Sequence, residues 1–566
     1  MSSFPCLPSR GSVRLVLLLP DNVLRIRGLA KLRTLHGRLS VNGCPVSPQF
    51  VAQGNKWLDV SSVASEPPLR LSPALDADVP PLVLSRLKWR LRSWCTRQVV
   101  DSLLLLSRPG CAVLLVDGCA DMTGHLGSLE DSFPGILADS SGAGRTERLA
   151  SAQITTHLAT AEPQATDFQE IRSWRRAVVT VRKAVANDKS VVCLVCGPRG
   201  SGKSTFVQYL SNRLLLNRSS AGKGVSVLEL ETDVGQTRYP SLPGAITLTH
   251  AHSPRFGGLI SASKSEQLCS VWFGEVEVGC EPARYLLCVS LGLAKARERI
   301  QDWQHTGTPH CLILNTNGWV TGLGCEMLSR LSAMAQPDLV LEMAGSDAAE
   351  PTLAPLLTGS KHMFLSRDED GSSLAGLTRY KSSELRHVRL VWDVLSGQAL
   401  CGPPWRVPWG ALCLQLLHPD PLPAPLIMAA LNASLVALCH AQPQDIECRH
   451  LEGREEYPGL IHQEAVLQVQ GLGVVVAVDV SSCSLLVRPA LPPARLSSVN
   501  ALVHSPIQLP PTLLTRQHTR SMCEATLPYV CSGLWEAAAA GRALHKPQAR
   551  VTKHLKRARP AKATLL

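Results

Sequence analysis

Aromatic residues are scarce: Phe, Trp and Tyr make up 4% of the 566 residues. That scarcity argues against an extended platform on which many bases stack. No apolar run approaches the roughly 20 residues that cross a bilayer as a helix, so no membrane association is expected. A leader pattern is also missing. The apolar stretch Val13 to Leu19 runs into Pro20-Asp21-Asn22 without a small-residue cleavage site. Paired metal-binding cysteines are absent. The 19 cysteines are scattered, and the C-x-x-C pair Cys193 and Cys196 lies in a strand-like run, where residues three apart face opposite sides. The cysteines therefore read as reduced, partly buried side chains of a cytosolic or nuclear chain. Acids are lacking from Arg542 to Lys562, a stretch with eight Lys or Arg. It supplies much of the net charge of +12. Such an end is either a solvated tail or a nuclear or nucleolar address with affinity for polyanions.

Apolar residues account for 45% and charged residues for 18%, a globular composition with room for about three or four domains. The most informative stretch is Gly197-Pro198-Arg199-Gly200-Ser201-Gly202-Lys203-Ser204. It spells G-x-x-x-x-G-K-S, the phosphate-binding loop of P-loop proteins. An apolar run, Ser190 to Cys196, precedes it, and Phe206, Leu210, Leu214 and Leu215 follow at helical spacing. Strand, glycine loop and helix aim backbone N–H groups and a helix N-terminus at an anion. Lys203 is placed for the β- and γ-phosphates, and the Ser204 hydroxyl for Mg²⁺. The cofactor-binding set is Gly197, Pro198, Arg199, Gly200, Ser201, Gly202, Lys203, Ser204 and Thr205, for a nucleotide's phosphates and Mg²⁺.

The patterning divides the chain. Residues 1–165 form a β-rich domain with a linker. Its strand-like runs are 12–19, 22–27 and 39–41, extended by 103–106 and 112–116, and 118–165 reads as a long polar loop. Residues 166–399 alternate helix and strand: helices at 170–186, 205–217, 284–304, 322–335 and 384–395, strands at 190–196, 225–231, 310–316, 338–343 and 362–365. That alternation means an α/β fold with a parallel sheet. Residues 400–540 read as a mostly β domain and 541–566 as a basic tail.

P-loop chemistry needs an acid at the tip of a neighbouring strand. The run from Val225 ends at Glu231, which puts Asp233 at the strand's C-terminal mouth, where open α/β sheets bind ligands. Asp233 can hold Mg²⁺ through water or accept a proton from an attacking hydroxyl. Glu231 is either a supporting acid or simply the strand end. The N-K-x-D guanine signature is missing, the nearest segment being Asn315-Thr316-Asn317-Gly318-Trp319. An L-S-G-G transporter signature is missing as well. An acid on the next strand in sequence suits a kinase-like P-loop protein.

Three segments together, Val195 to Phe206, Glu231-Thr232-Asp233-Val234-Gly235-Gln236-Thr237 and Leu314 to Val320, resemble the polynucleotide 5'-hydroxyl kinases. Leu431 to Val436 and Pro493 to Asn500 favour the nucleolar branch of that family. The resemblance implies transfer of the γ-phosphate of ATP to a 5'-hydroxyl end of pre-ribosomal RNA, in the nucleus and nucleolus, beside a HEPN-type endoribonuclease partner. It implies roles for Lys203 on the phosphates, Asp233 as the base, and Gln236 at the acceptor end. Thr249, His252 and Pro254 fall where the family clasps RNA. Trp319 matches a tryptophan near the RNA path, where it either stacks on a terminal base or packs beside the sheet. Arg386 and Arg389 match lid arginines, although two residues separate them here instead of three. Arg238 and Glu231 also depart from the family pattern, where an acid and an Asp are usual. Two alternatives accompany this reading: an ATP-binding scaffold without turnover, and a kinase of the mRNA-cleavage and tRNA-splicing branch.

Overall fold

The computed structural model describes residues 6–510 apart from internal stretches, the longest of which are 47–56, 74–90, 159–167 and 367–379. The basic tail 541–566 lies outside the described residues. The chain forms two compact units, Met1–Trp392 and Asp393–Leu566.

The first unit opens with an antiparallel sheet. Its spine is the long strand Asn22–His36, which pairs with Ala112–Asp117, Leu69–Pro73 and Leu58–Ser62; Val13–Leu18 lies beyond Ala112–Asp117. Two sequence expectations are corrected here. Leu103 to Leu106 is the end of a helix, Arg97–Leu106, and not a strand. A run of four leucines fits either state; Arg97 and Asp101, paired one turn apart, mark the helix. The stretch 118–165 also carries structure: a helix at Thr123–Ser132 and strands at Arg145–Arg148 and Ala152–Leu158, the last paired with Asn22–Gly28. Its polar composition hid them, because these elements do not show the apolar alternation that marks a strand in sequence.

The remainder of this unit is the P-loop sheet. In chain order its elements are α1 (Arg172–Asp188), β1 (Ser190–Cys196), α2 (Lys203–Leu216), β2 (Ser226–Glu231), β3 (Ala245–Ala251), β4 (Glu266–Trp272), α3 (Pro282–Thr306), β5 (His310–Asn315), α4 (Leu323–Ala335), β6 (Leu339–Met343), β7 (Lys361–Leu365) and α5 (Ser382–Ser396). The spatial order is β7-β6-β1-β5-β2-β3-β4. The first five strands are parallel, as the alternation predicts. β3 and β4 run antiparallel to their neighbours, and the sequence reading did not contain them. The C-terminal ends of β1, β2 and β5 meet at one edge, because Val195 pairs with Asn315 and Asn315 with Glu231.

Burial on both faces explains the apolar runs of the parallel strands. β5 is buried at every position. One core joins Leu24, Val41 and Leu71 of the antiparallel sheet with Trp174, Phe206 and Tyr209 of α1 and α2. Glu66 accepts hydrogen bonds from the Gly258 and Leu259 backbone N–H groups, at 2.8 and 3.1 Å, and so fastens the segment after β3 to the first sheet.

The second unit is mostly β. Strands Ser434–His440 and Gln468–Asp479 pair antiparallel at its centre. The helix Ala424–Leu431 contributes Ile427 and Leu431 to a core with Trp409, Val436, Leu438 and Val475.

Candidate functional site: a phosphate-binding loop facing a carboxylate pair

The loop leaves β1 at Gly197. Its φ is +136°, and a Cβ there would lie 2.5 Å from the Met343 carbonyl oxygen. Only glycine fits that approach. Gly200 and Gly202 also have positive φ, and space is open around Gly200. The chain enters α2 at Lys203, with Phe206 N–H donating to the Gly202 carbonyl at 2.9 Å. The Ser201 hydroxyl is buried without a hydrogen-bond partner. An anion cradle needs unsatisfied donors of this kind.

Lys203 is 6% exposed and its ammonium donates to the Gly197 and Pro198 carbonyls, 2.9 Å each. Burial holds its pKa below the ordinary lysine value, and Asp233 is the strongest influence in the opposite direction. The ammonium is thus kept inside the loop facing an acid, and phosphate oxygens can displace the two carbonyls.

Opposite the loop, Asn315 at the end of β5 organises the acids. Its Nδ2 donates to Ser204 Oγ at 3.0 Å and to both Glu231 oxygens at 2.9 Å. The Asp233 backbone N–H also donates to Glu231 Oε1, at 3.0 Å. Asp233 Oδ1 accepts from the Gly235 and Gln236 N–H groups at 3.0 and 3.1 Å, a turn that fixes the carboxylate. Burial, then the charge of Asp233, pushes Glu231 up to about 8. Burial also raises Asp233, against the pull of Lys203 and the two backbone bonds. Two neighbouring half-buried carboxyls with raised pKa values want a cation. With the Ser204 hydroxyl they form an oxygen donor set that suits Mg²⁺. Thr205, by contrast, accepts from Arg238 Nη2 at 2.9 Å, so its hydroxyl is engaged away from the acids.

A second wall carries positive charge. With its amide oxygen turned toward Arg199, Gln236 accepts from Arg199 Nε and Nη2 at 2.9 and 3.0 Å and from the Ser382 hydroxyl at 3.1 Å. Arg386 on α5 donates to the Gly235 carbonyl at 3.2 Å. Burial and then the neighbouring Arg199 lower its pKa, while Glu277 and Asp233 oppose that shift. Arg199, Gln236 and Arg386 therefore gather beside Asp233. Arg389 does not join them. It is 1% exposed and donates to the Ser241 carbonyl at 3.4 Å. The expectation that both arginines serve one lid flank is corrected: one faces the site and the other is a core residue.

Trp319 follows the Asn315 loop. A Cβ at Gly318 would lie 2.6 Å from Arg199 Cα, which places this loop directly against the P-loop. The half-buried indole packs on Gly279 and Gly324, so it is wedged at the rim. Thr249 is buried on β3 and shares a polar recess with Ser204, Glu231, Arg238 and Asn315. His252 lies elsewhere. β3 runs away from the loop, with Thr247 opposite Glu231 and Ala251 opposite Val227. Five residues of strand put His252 about 17 Å from Thr247. The structure does not bring His252 to the phosphate site, whereas Arg255, next to Pro254, lines the same recess as Thr249. Sequence reasoning missed the Asn315 bridge and the Arg199–Gln236 contact. Their signal was the Asn-Thr-x-Gly-Trp segment, whose asparagine ends a buried strand beside β1.

The sheet and loop define an α/β P-loop fold. Residues 197–388 match the family model of the P-loop of the mRNA cleavage and polyadenylation factor CLP1. The chain is similar to the polynucleotide 5'-hydroxyl kinases, and among them to proteins called NOL9. It is 27% identical to the Danio rerio polynucleotide 5'-hydroxyl-kinase NOL9 over 398 residues, 63% of this chain and 52% of that one. It is 26% identical to the Arabidopsis thaliana protein of the same name over 378 residues, 62% of this chain and 93% of that one. The chain spans about half the length of the vertebrate relatives it matches. A solved structure of Clp1p with Pcf11p aligns over 88% of this chain and 99% of that one, with a TM-score of 0.50 and 11% identity. That likeness concerns the fold alone.

Proposed function

We propose that this protein is an ATP-dependent polynucleotide 5'-hydroxyl kinase of pre-ribosomal RNA processing. The observation that carries this reading is the convergence of Lys203, Ser204, Glu231 and Asp233 at one mouth of the sheet. A P-loop and Mg²⁺ site alone would suit many nucleotide-binding proteins. The fixed carboxylate of Asp233, beside a wall of Arg199 and Arg386, adds a base and counter-charge for an incoming hydroxyl. The relatives named as polynucleotide 5'-hydroxyl kinases supply the acceptor class.

Phosphoryl transfer needs positioning and charge neutralisation more than covalent chemistry by the protein. The loop N–H groups and Lys203 hold the β- and γ-phosphates of ATP. Ser204 and Glu231, aligned by Asn315, are the residues that hold Mg²⁺, which when bound neutralises charge on the phosphates. Asp233 accepts the proton of the 5'-hydroxyl; burial raises its basicity, which favours that transfer. Arg386 and Arg199 face the charge that builds on the transferring group, a task suited to the guanidinium fork. Gln236 and Trp319 line the approach of the acceptor strand, and Thr249 sits deeper in the recess. The acceptor is the 5'-hydroxyl left by cleavage in the second internal transcribed spacer. A nucleolar address and a HEPN-type endoribonuclease partner go with that assignment.

The test is transfer from γ-labelled ATP to matched RNA and DNA oligonucleotides ending in 5'-hydroxyl or 5'-phosphate. Label on 5'-hydroxyl RNA alone, or on RNA and DNA alike, supports the kinase. ATP binding without label on any acceptor overturns it in favour of a scaffold. Co-purification with mRNA-cleavage or tRNA-splicing factors would overturn the nucleolar assignment.

A further inference from the structure

The other end of the antiparallel strands holds a cluster that the phosphate chemistry does not use. Alternation along β3 puts His250 and His252 on one face. The pairing of β3 with β4 places Glu266 directly opposite His250. The two imidazole rings lie 3.8 Å apart between centroids. Glu266 Oε2 is 3.5 Å from His250 Nδ1 and hydrogen-bonded to His252 Nε2. One ligand atom from each of the three residues lies within 4.8 Å of the others.

Among the described residues, His250 Nδ1 is buried and makes no well-formed hydrogen bond; its polar neighbour is Glu266 Oε2 at 3.5 Å. A buried nitrogen left in this way calls for an explanation. Trp303 of α3 backs the ring at 4.9 Å. Burial, then His252, lowers the pKa of His250 to about 4. The bond from His252 holds Glu266 below the usual carboxylate range, hence ionised. Arg299, the other charge nearby, is drawn to Asp302 at 3.4 Å and lies 5.2 Å over the Trp303 ring.

We propose that His250 Nδ1, His252 Nε2 and Glu266 Oε2 form a binding site for a transition-metal dication of the Zn²⁺ class, at the strand ends remote from the phosphate loop. Two neutral imidazoles and one carboxylate are a common ligand set for zinc. Bonds of about 2.0–2.2 Å in a tetrahedron separate the ligand atoms by roughly 3.3–3.5 Å, and the gap between His250 and Glu266 meets that spacing. His252 and Glu266 are half exposed, so the fourth position faces solvent. Hard cations such as Mg²⁺ prefer oxygen and are disfavoured by two imidazoles. The metal would pin the outer ends of β3 and β4 together. This site is independent of the proposed kinase reaction.

The experiment compares the full chain with His252→Ala and Glu266→Gln, both at exposed positions that leave the core intact. Each protein is stripped with chelator, then titrated with Co²⁺ and with Zn²⁺. The wild type should bind one Co²⁺ that the variants lack, with visible d–d absorption and no thiolate charge-transfer band. Loss of one ligand should weaken Zn²⁺ binding at least about 100-fold. Zn²⁺ should raise the melting temperature of the wild type alone. His252→Cys should restore binding and add the thiolate band. Equal metal content and equal thermal shifts in wild type and His252→Ala would overturn the proposal, because the scattered cysteines would then account for all binding. Binding only at millimolar metal would overturn it too.

Discussion

The two halves of the P-loop sheet obey different rules. The parallel strands β1, β5 and β2 are mainly apolar through the layer and bring Asn315 and Glu231 to their C-terminal ends; their exceptions, such as His310 at the start of β5 and Glu229 within β2, are few. β3 and β4 carry polar residues along their length: Thr247, Thr249 and His250 are all buried in β3. Thr247 and Ser270 satisfy each other across the strands at 2.9 Å. In the parallel half, crossovers align the strand ends, so the phosphate loop, Glu231, Asp233 and Asn315 converge at one edge. In the antiparallel half, cross-strand pairing sets the chemistry, and polar side chains occur at both ends. Polar groups are thus gathered by topology in one half and by register in the other.

That contrast can be broken by mutation. The largest loss is expected from Lys203→Ala, which removes the ammonium buried in the loop. Transfer of label to a 5'-hydroxyl oligonucleotide should fall at least about 10³-fold, and nucleotide affinity should fall with it. Asp233→Asn comes next. It keeps the size of the side chain and loses the base, so kcat should drop by roughly 10²–10⁴-fold while nucleotide affinity, read by calorimetry, holds.

The two arginines of α5 sharpen the comparison within a single helix. Arg386→Ala should lower kcat by about 10²-fold through lost charge neutralisation without changing the melting temperature. Arg389→Ala should act in the opposite way. Deleting a buried, hydrogen-bonded side chain costs about 2–4 kcal/mol of stability, visible in denaturant unfolding. Loss of transfer by a stably folded Arg389→Ala protein would contradict its assignment to the core. The smallest effect belongs to Trp319→Ala. A base stacked at the rim contributes about 1–3 kcal/mol, so KM for the oligonucleotide should rise roughly 10-fold or more while kcat stays near wild type.

The legible part of the sequence was its local part. The phosphate loop is eight contiguous residues between a strand and a helix. Asp233 lies just past an apolar strand, so both could be placed without tertiary information. The parallel strands were found to within a residue or two, because burial on both faces leaves continuous apolar runs. β3 was missed because its buried threonines and histidine break that signal while pairing satisfies them across the sheet. The helix at Thr123–Ser132 buries only Leu126 and Leu129 among its residues, too few to produce a periodic pattern. The Asn315 bridge depends on the meeting of β1, β2 and β5, which spacing along the chain does not encode. The inward turn of Arg389 likewise depends on what α5 packs against. Arg386 and Arg389 look equivalent by helical spacing, and only tertiary contacts separate them.

The most direct measurement is nucleotide binding and phosphate transfer on one preparation of Asp233→Asn, beside the wild type, with γ-labelled ATP and a 5'-hydroxyl RNA. The wild type should label the RNA, and the variant should bind ATP equally well yet leave the RNA unlabelled. Labelling by the variant at the wild-type rate would contradict the assignment of Asp233 as the base on which the proposed reaction depends.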